Sequence, residues 1–397
     1  MKIAIVNLIT KTADVQADAS VMRTGSLRPG TDQDLNIVDT ARRLAARGNE
    51  VVIYVSDAYR PDSTFSQDRV RIEYVPTRLP WLFPPSLAPL TPTLARTLRE
   101  EDFDVVQSGE VFQPGTLMAW SASRKRDRGM FVWQELDTYM REPLGFLQRQ
   151  FYATLGRGVV KQCRKVIPRS RSARNHLMGA GVPERKIAPV VHSGVDTAKF
   201  RPMSKTQSRE RFGIDEDRNV ILSIGRMHEN KGMDLLVRAT DRLRTKDPDC
   251  LLVLKGTGPQ ERYLRSLVRE LHLEDNVTVM TDRLDIDGMA ALYNTADLFV
   301  VSSRIDLFPF TAIEAISCGV PLATSFGRGL RTDIVEEGAG SMLSSDPEGM
   351  ARDIYSLLSD TVRLDRMGAR ARELAMKDFD FEVGAERLLE IYSGGSD

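Results

Sequence analysis

Short apolar runs alternate with segments of helical spacing along most of the chain. Lys2–Leu8 is rich in β-formers. Asp34–Arg47 then repeats Leu35, Val38, Ala41, Leu44 and Ala45 at helical intervals, with Gly48 at the position that ends a helix. Glu50–Val55 reads as a second strand and Arg69–Val75 as a third. A helix around Thr93–Glu101 precedes a fourth strand at Val105–Val106, and Met130–Trp133 reads as a fifth. Strand and helix in this rhythm predict parallel βαβ units. A second series starts near Asn219. Its strands are Val220–Ile224, Cys250–Leu254, Val277–Met280, Leu298–Val301 and Pro321–Thr324. Its helices are Gly232–Thr245, Pro259–Leu271, Asp287–Tyr293 and one opened by Ala312–Ser317. The expected fold class is α/β with two Rossmann-like domains, 1–195 and 196–379, joined near Val190–Pro202. Val383–Tyr392 closes the chain in helix-forming residues.

Three stretches interrupt the rhythm: the polar segment Thr12–Gly30, the five-proline segment Leu79–Pro92 with Trp81, Leu82 and Phe83, and the basic segment Arg157–Arg174. A loop as long as the first is often functional. The second reads as a surface loop, or as one that touches a membrane or an acceptor.

Length supports two domains, because 397 residues exceed the roughly 250–300 that one core holds. No apolar run approaches the roughly 18 residues of a membrane span, and the N-terminus lacks the pattern of a signal peptide. The expected location is the cytoplasm, including the inner face of its membrane. Cys163, Cys250 and Cys318, like His176, His192, His228 and His272, have no metal-like spacing, so no metal site is expected. Net charge is zero, yet residues 1–200 carry 29 basic against 21 acidic side chains, leaving 26 against 34 in the remainder. The basic half suits an anionic partner or a membrane surface, although ordinary surface variation explains it equally; no nucleic-acid partner is expected.

Three clusters of candidate chemistry lie in the second half. In Ser223–Gly232, a strand ends at Gly225 and is followed by Arg226 and Lys231, a planar fork and a point charge suited to phosphate. A helix opening near Lys231 would add free amides. A surface turn with two solvated charges is the alternative. In Leu254–Pro259, Gly256 and Gly258 permit close backbone approach, or simply a tight turn. In Asp306–Pro321, Asp306 and Glu314 flank a strand-to-helix turn where carboxylates can accept from sugar or ribose hydroxyls. Read as a first-turn residue, Glu314 could instead merely cap its helix.

In this order the clusters resemble glycosyltransferase family 4, whose fold is GT-B, two Rossmann-like domains facing across a cleft. The resemblance covers most of the chain and is strongest from about Gly181. His192–Asp196 with Phe200 and Pro202 is similar to the family's linker. Gly225-Arg226 with Lys231-Gly232, Gly256 with Gly258-Pro259, and the pair Asp306 and Glu314 are similar to its donor motifs. The resemblance implies a retaining, metal-independent transferase using a nucleotide-diphosphate sugar, most simply a UDP- or GDP-sugar, as co-substrate rather than a cofactor. It implies Arg226 and Lys231 on the diphosphate, Glu314 on the ribose and Asp306 on the transferred sugar. Phe308, Phe310 and Thr311 would lie near phosphate and sugar, and Arg283 and Leu284 would meet the base. It also implies that the final helix, about 380–397, returns to the first domain.

The chain departs from the family pattern at Asp306 in place of Glu, at Pro309 in place of Gly, and at Ser193 in place of Asn. Gly30 is what remains of the N-terminal glycine loop, and Trp133–Asp137 replaces a stretch where the family commonly has a histidine. Glu110, Glu135 and Asp137, with Gly30, are the candidates for the acceptor side; solvated loop carboxylates are the alternative. The acceptor is expected to be a glycan, a lipid-linked or a small molecule, with peripheral membrane association. Two other functions fit the same motifs: a non-catalytic nucleotide-sugar-binding protein and a GT-B nucleotide-sugar epimerase.

Overall fold

The computed structural model describes residues 1–9, 36–60, 69–85, 87–124, 129–304 and 308–394. The chain divides into two units: Met1–His192 with Gly384–Asp397, and Ser193–Val383.

Unit 1 holds six strands: β1 (Lys2–Val6), β2 (Glu50–Ser56), β3 (Val70–Val75), β4 (Val105–Gly109), β5 (Gly129–Gln134) and β6 (Lys165–Pro168). All pairings are parallel, in the order β3-β2-β1-β4-β5-β6. The helices are α1 (Asn36–Ala46), α2 (Leu94–Glu100), α3 (Pro114–Ser123), α4 (Leu144–Ala153), α5 (Leu155–Gln162) and α6 (Arg171–Gly179). Strand side chains alternate between faces. Ile3 and Ile5 therefore join the core under α1, while Ala4 and Val6 join the core that includes Leu94 of α2 and Ala119 of α3. Both faces being covered, β2 runs buried from Val51 to Ser56, which is why its sequence reads as one apolar block.

Unit 2 repeats the plan with β7 (Val220–Ile224), β8 (Leu251–Lys255), β9 (Val277–Met280), β10 (Leu298–Val301), β11 (Leu322–Thr324) and β12 (Gly340–Met342). Their order is β12-β11-β10-β7-β8-β9, again parallel throughout. Its helices are α7 (Lys205–Phe212), α8 (Met233–Leu243), α9 (Glu261–Glu270), α10 (Ile286–Asn294), α11 (Phe310–Ser317), α12 (Pro347–Leu358) and α13 (Thr361–Leu374). The last helix, α14 (Phe381–Tyr392), delivers Ala385, Leu388, Ile391 and Tyr392 to the unit 1 core. There the Tyr392 hydroxyl donates to Gln107 Oε1 at 2.5 Å.

In each sheet the order reverses between two adjacent strands, β1 and β4 in unit 1 and β7 and β10 in unit 2. The loops leaving their C-terminal ends diverge there and open a crevice, which is where ligands bind in open α/β sheets.

Two expectations are corrected. The basic stretch Arg157–Arg174 is not an interruption: it contains the end of α5, strand β6 and the start of α6. Only Val166 and Ile167 mark that four-residue strand, between Lys165 and Pro168, so no alternation is visible. The helix expected to open at Ala312 starts at Phe310 with Pro309 as its N-cap, so Glu314 lies beyond the first turn, which carries no acidic residue. Glu314 is therefore not a cap.

Candidate active site

Three loops leave the C-terminal ends of β7, β8 and β10 and lock together through backbone contacts. Met227 N donates to Thr257 O at 2.9 Å and Gly225 N to Lys255 O at 3.0 Å. Gly256 (φ 148°) leaves no room for a side chain: a Cβ would lie 1.9 Å from Gly225 O. Gly232 (φ 61°) is as tight, its Cβ falling 2.0 Å from Ser302 O. Glycine is required at both positions, for conformation and for approach. The result sets exposed Arg226 and half-buried Lys231 at the switch point of unit 2.

A further pair braces the Lys231 turn. Arg304 donates to both carboxylate oxygens of Asp234 at 2.8 Å and to Glu229 O at 2.7 Å, while its own amide donates to Asn230 O at 2.7 Å. Helix α8 opens at Met233, two residues later than Lys231, and Asp234 occupies its first turn. The favourable negative charge at that helix end is thus supplied by the protein itself.

Across the crevice, α11 begins at Phe310. Among the described residues the Phe310 and Thr311 amides have no hydrogen-bond acceptor, as expected of a first helical turn. Glu314 follows one turn on. Its Oε2 accepts from the Tyr293 hydroxyl at 2.5 Å, and Oε1 has no partner among the described residues. Burial pushes this carboxyl up to about 7, and the Tyr293 bond opposes that rise. Phe308 stacks at 5.7 Å from Phe379. Asp306 lies outside the described residues.

Beyond β9, Lys255, buried at the end of β8, donates through Nζ to Asp282 O and so ties down the segment before exposed Arg283 and half-buried Leu284. Leu284 packs on the unit 2 core, and Asp285 caps α10 through Gly288 N at 2.8 Å.

In unit 1 the candidates cluster after β4 and β5. Glu110 has φ 50°, and its Oε1 accepts from Glu135 N at 2.7 Å and Leu136 N at 3.0 Å. Burial, then the Glu135 carboxylate, push it up to about 8. Glu135 is half exposed and accepts from Trp133 Nε1 at 3.3 Å. The buried Arg169 guanidinium stacks over Trp133, 3.5 Å from the ring centroid, and lies 4.0 Å from Glu135. Burial pulls Arg169 down to about 9. Asp137 is buried nearby in sequence. Gly30 lies outside the described residues. Among the described residues no three His, Cys, Asp or Glu side chains converge as a metal site.

Two family models match, Glycosyltransferase Family 4 over residues 36–199 and Glycosyl transferases group 1 over residues 204–374. The chain belongs to glycosyltransferase family 4. Among curated family relatives it is 34% identical over 254 residues to a D-inositol 3-phosphate glycosyltransferase of Kineococcus radiotolerans, covering 59% of this chain and 58% of that one. It is 28% identical over 235 residues to a GDP-mannose-dependent α-(1-6)-phosphatidylinositol monomannoside mannosyltransferase of Mycolicibacterium smegmatis, covering 57% and 61%. The chain spans about three fifths of the length of these two relatives. Anabaena HepE, solved in complex with UDP, superposes with a TM-score of 0.74 at 16% identity over 99% of this chain and 100% of that one. The fold is that of the GT-B glycosyltransferases.

Of the residues expected from the family motifs, the structure gathers Gly225, Arg226, Lys231, Gly256, Gly258, Phe308, Phe310, Thr311 and Glu314 along the C-terminal edge of one sheet. Arg283 and Leu284 follow β9, two strands from the switch point. Sequence reasoning missed Tyr293, Lys255 and the Arg304–Asp234 pair. Lys255 and Arg304 carried a signal, each a cation at or within three residues of the end of an apolar strand. Tyr293, inside an apolar helix, carried none.

Proposed function

We propose that the chain is a retaining glycosyltransferase that moves a sugar from a nucleotide-diphosphate sugar to a hydroxyl of a glycan, lipid-linked or small polyol acceptor. One observation carries this reading: Arg226, Lys231, the open amides of α11 and the free oxygen of Glu314 all border the β7/β10 switch point. Arg226 and Lys231 hold the diphosphate, Phe310 and Thr311 offer backbone amides to it, and Glu314 accepts from the ribose hydroxyls. Asp306 serves the transferred sugar. Arg283 and Leu284 border the base, which is uracil or guanine; the relatives' names and the UDP complex support these two.

In the proposed reaction the acceptor oxygen bonds to the anomeric carbon on the face that the diphosphate leaves. The glycosidic C–O bond breaks, and the acceptor proton passes to the departing phosphate oxygen. Arg226 and Lys231 stabilise the charge developing on that phosphate, which is worth roughly a hundred- to a thousand-fold in rate per preorganised donor. The acceptor lies on the side of unit 1 that carries Glu110, Glu135 and Asp137. Both curated relatives are named for phosphorylated inositol acceptors, which suits the basic excess of residues 1–200. Peripheral membrane binding belongs to the same reading. It is supported by Trp81, 78% exposed, and by exposed Leu82, Phe146 and Leu147.

A thermal-shift screen against UDP, GDP, ADP and dTDP, followed by transfer assays with the selected sugar nucleotide and inositol 3-phosphate or phosphatidylinositol vesicles, tests the proposal. A shift by UDP or GDP, with turnover that Arg226→Ala and Lys231→Ala each cut at least a hundred-fold, is the expected result. No shift with any nucleotide overturns the donor site. Binding without transfer or hydrolysis identifies a non-catalytic binder, and sugar conversion without an acceptor identifies an epimerase. Salt-sensitive sedimentation with anionic liposomes is expected, and its absence removes the membrane element.

A further inference from the structure

The turn that follows β4 sits at the switch point of unit 1, where the strand order reverses between β1 and β4. Glu110 occupies it in the left-handed region, φ 50°, a conformation that non-glycine residues adopt where the surroundings impose it. Those surroundings are explicit. Glu110 N donates to Trp133 O at 2.6 Å, and Thr116 Oγ1 donates to Glu110 O at 2.7 Å. Val111 N donates to Gln134 Oε1 at 3.3 Å. So held, the side chain reaches past the end of β5, where Oε1 takes the amides of both Glu135 and Leu136. Oε2 is buried and has no hydrogen-bond partner among the described residues. Glu135 Oε1 in turn is engaged by Trp133 Nε1, whose ring carries the Arg169 guanidinium. Glu135 Oε2 has no hydrogen-bond partner among the described residues, and the side chain is 54% exposed.

We propose that Glu110 is a positioning residue for the acceptor, fixing the Glu135–Asp137 segment from the neighbouring strand so that Glu135 turns one free carboxylate oxygen toward an acceptor hydroxyl. This rests on the reading above that unit 1 receives the acceptor. Amides that leave a strand end need an acceptor, and here one carboxyl oxygen serves two of them. The ladder of β5 therefore stops at Gln134 without leaving its next residues loose. The charged and titratable groups that act on Glu110 are Glu135 after β5 and Tyr152 of α4, while Arg169 after β6 faces Glu135. Glu110 is pushed up to about 8, so near neutrality it serves as an uncharged acid, and glutamine is its close mimic.

The test compares Glu110→Ala and Glu110→Gln with the wild type. Amide hydrogen exchange is read at residues 135–137, and steady-state kinetics are read with inositol 3-phosphate and the donor selected above. Glu110→Ala is expected to speed exchange at 135–137 at least tenfold while leaving unit 2 protected. Its acceptor KM should rise tenfold or more with the donor KM unchanged. Glu110→Gln is expected to restore both values at pH 7. Exchange unchanged in Glu110→Ala, a Glu110→Gln variant as impaired as Glu110→Ala, or an equal rise in donor KM each overturns the proposal. Failure of the functional reading looks different: no nucleotide shifts the wild type, yet the exchange comparison still decides the role of Glu110.

Discussion

Replacing Tyr293 with Phe removes one oxygen atom and isolates the electrostatics on the ribose side of the proposed donor site. In the wild type that hydroxyl donates to Glu314 Oε2 at 2.5 Å, within the core of unit 2. Burial pushes Glu314 up to about 7 against the pull of this bond. A hydrogen bond to a charged acceptor contributes about 1.5–3 kcal/mol and one to a neutral acceptor about 1 kcal/mol, so Tyr293 favours the carboxylate by roughly 0.5–2 kcal/mol. At about 1.36 kcal/mol per pH unit, its loss moves the Glu314 titration upward by about one unit. The donor KM, followed from pH 5.5 to 9, reads this directly. In the wild type, affinity rises through about pH 7 as Glu314 becomes the acceptor for ribose hydroxyls. In Tyr293→Phe the same rise should occur about one unit higher and reach a similar plateau. Stability has the opposite slope. A carboxyl raised above its ordinary 4.5 adds stability below that value and loses it as the pH passes about 7. The urea midpoint of the ligand-free protein should therefore fall between pH 5 and 7.5, and over a wider range in the variant. Superimposable pH profiles, or a loss of affinity that ignores pH, would refute the assignment of Glu314.

Three further outcomes follow from the loops of unit 2. Gly232→Ala places a Cβ 2.0 Å from Ser302 O at φ 61°; it should destabilise by about 2–5 kcal/mol and weaken the nucleotide thermal shift, and urea curves like the wild type's would contradict this. Arg304→Ala removes the bidentate grip on Asp234. Its side chain is 34% exposed and partly screened, so about 1 kcal/mol of stability is expected to go. The donor KM should rise as the Lys231 turn loosens, Arg304→Lys should recover it incompletely for want of the planar fork, and an unchanged donor KM in both variants would refute the bracing role. EDTA is expected to leave transfer unchanged, because Arg226 and Lys231 are assigned the phosphate charge; a tenfold fall restored by Mg²⁺ or Mn²⁺ would show otherwise.

The fold was legible where burial leaves a one-dimensional record. Strands covered on both faces, such as β2 and β8, appear as apolar blocks, and the helices between them keep their spacing. Gly256 and Gly258 were visible because close backbone approach tolerates no substitute, as the overlaps at Gly225 O and Met227 O make plain. Three kinds of feature were not legible. The short strands β6 and β12, with four and three residues, are too brief to declare a period. The partners that tune charge, Tyr293 for Glu314 and Asp234 for Arg304, are paired by tertiary contact across 21 and 70 positions. The position of Glu314 within its helix was misread because Phe310 and Thr311, after Pro309, do not look like a helix start.

The same strand order occurs in both units, so each has a switch point of the same geometry, yet only that of unit 2 is announced by a motif. The difference follows from the ligands each would serve. A diphosphate is the same group whatever sugar it carries; it demands permanent cations and backbone amides, and glycines let the chain come close enough to supply them. An acceptor varies from one transferase to another and is met by neutral hydrogen bonds and carboxylates, which many residue types at many spacings can provide. Glu110 illustrates the consequence. Its role is set by a left-handed turn, by two amides 25 and 26 residues away, and by the burial that keeps it protonated near neutral pH. None of these is a property of the sequence around it. Specificity for the acceptor is therefore to be sought in the side-chain network after β4, β5 and β6, where exchange at residues 135–137 and the acceptor KM should change together.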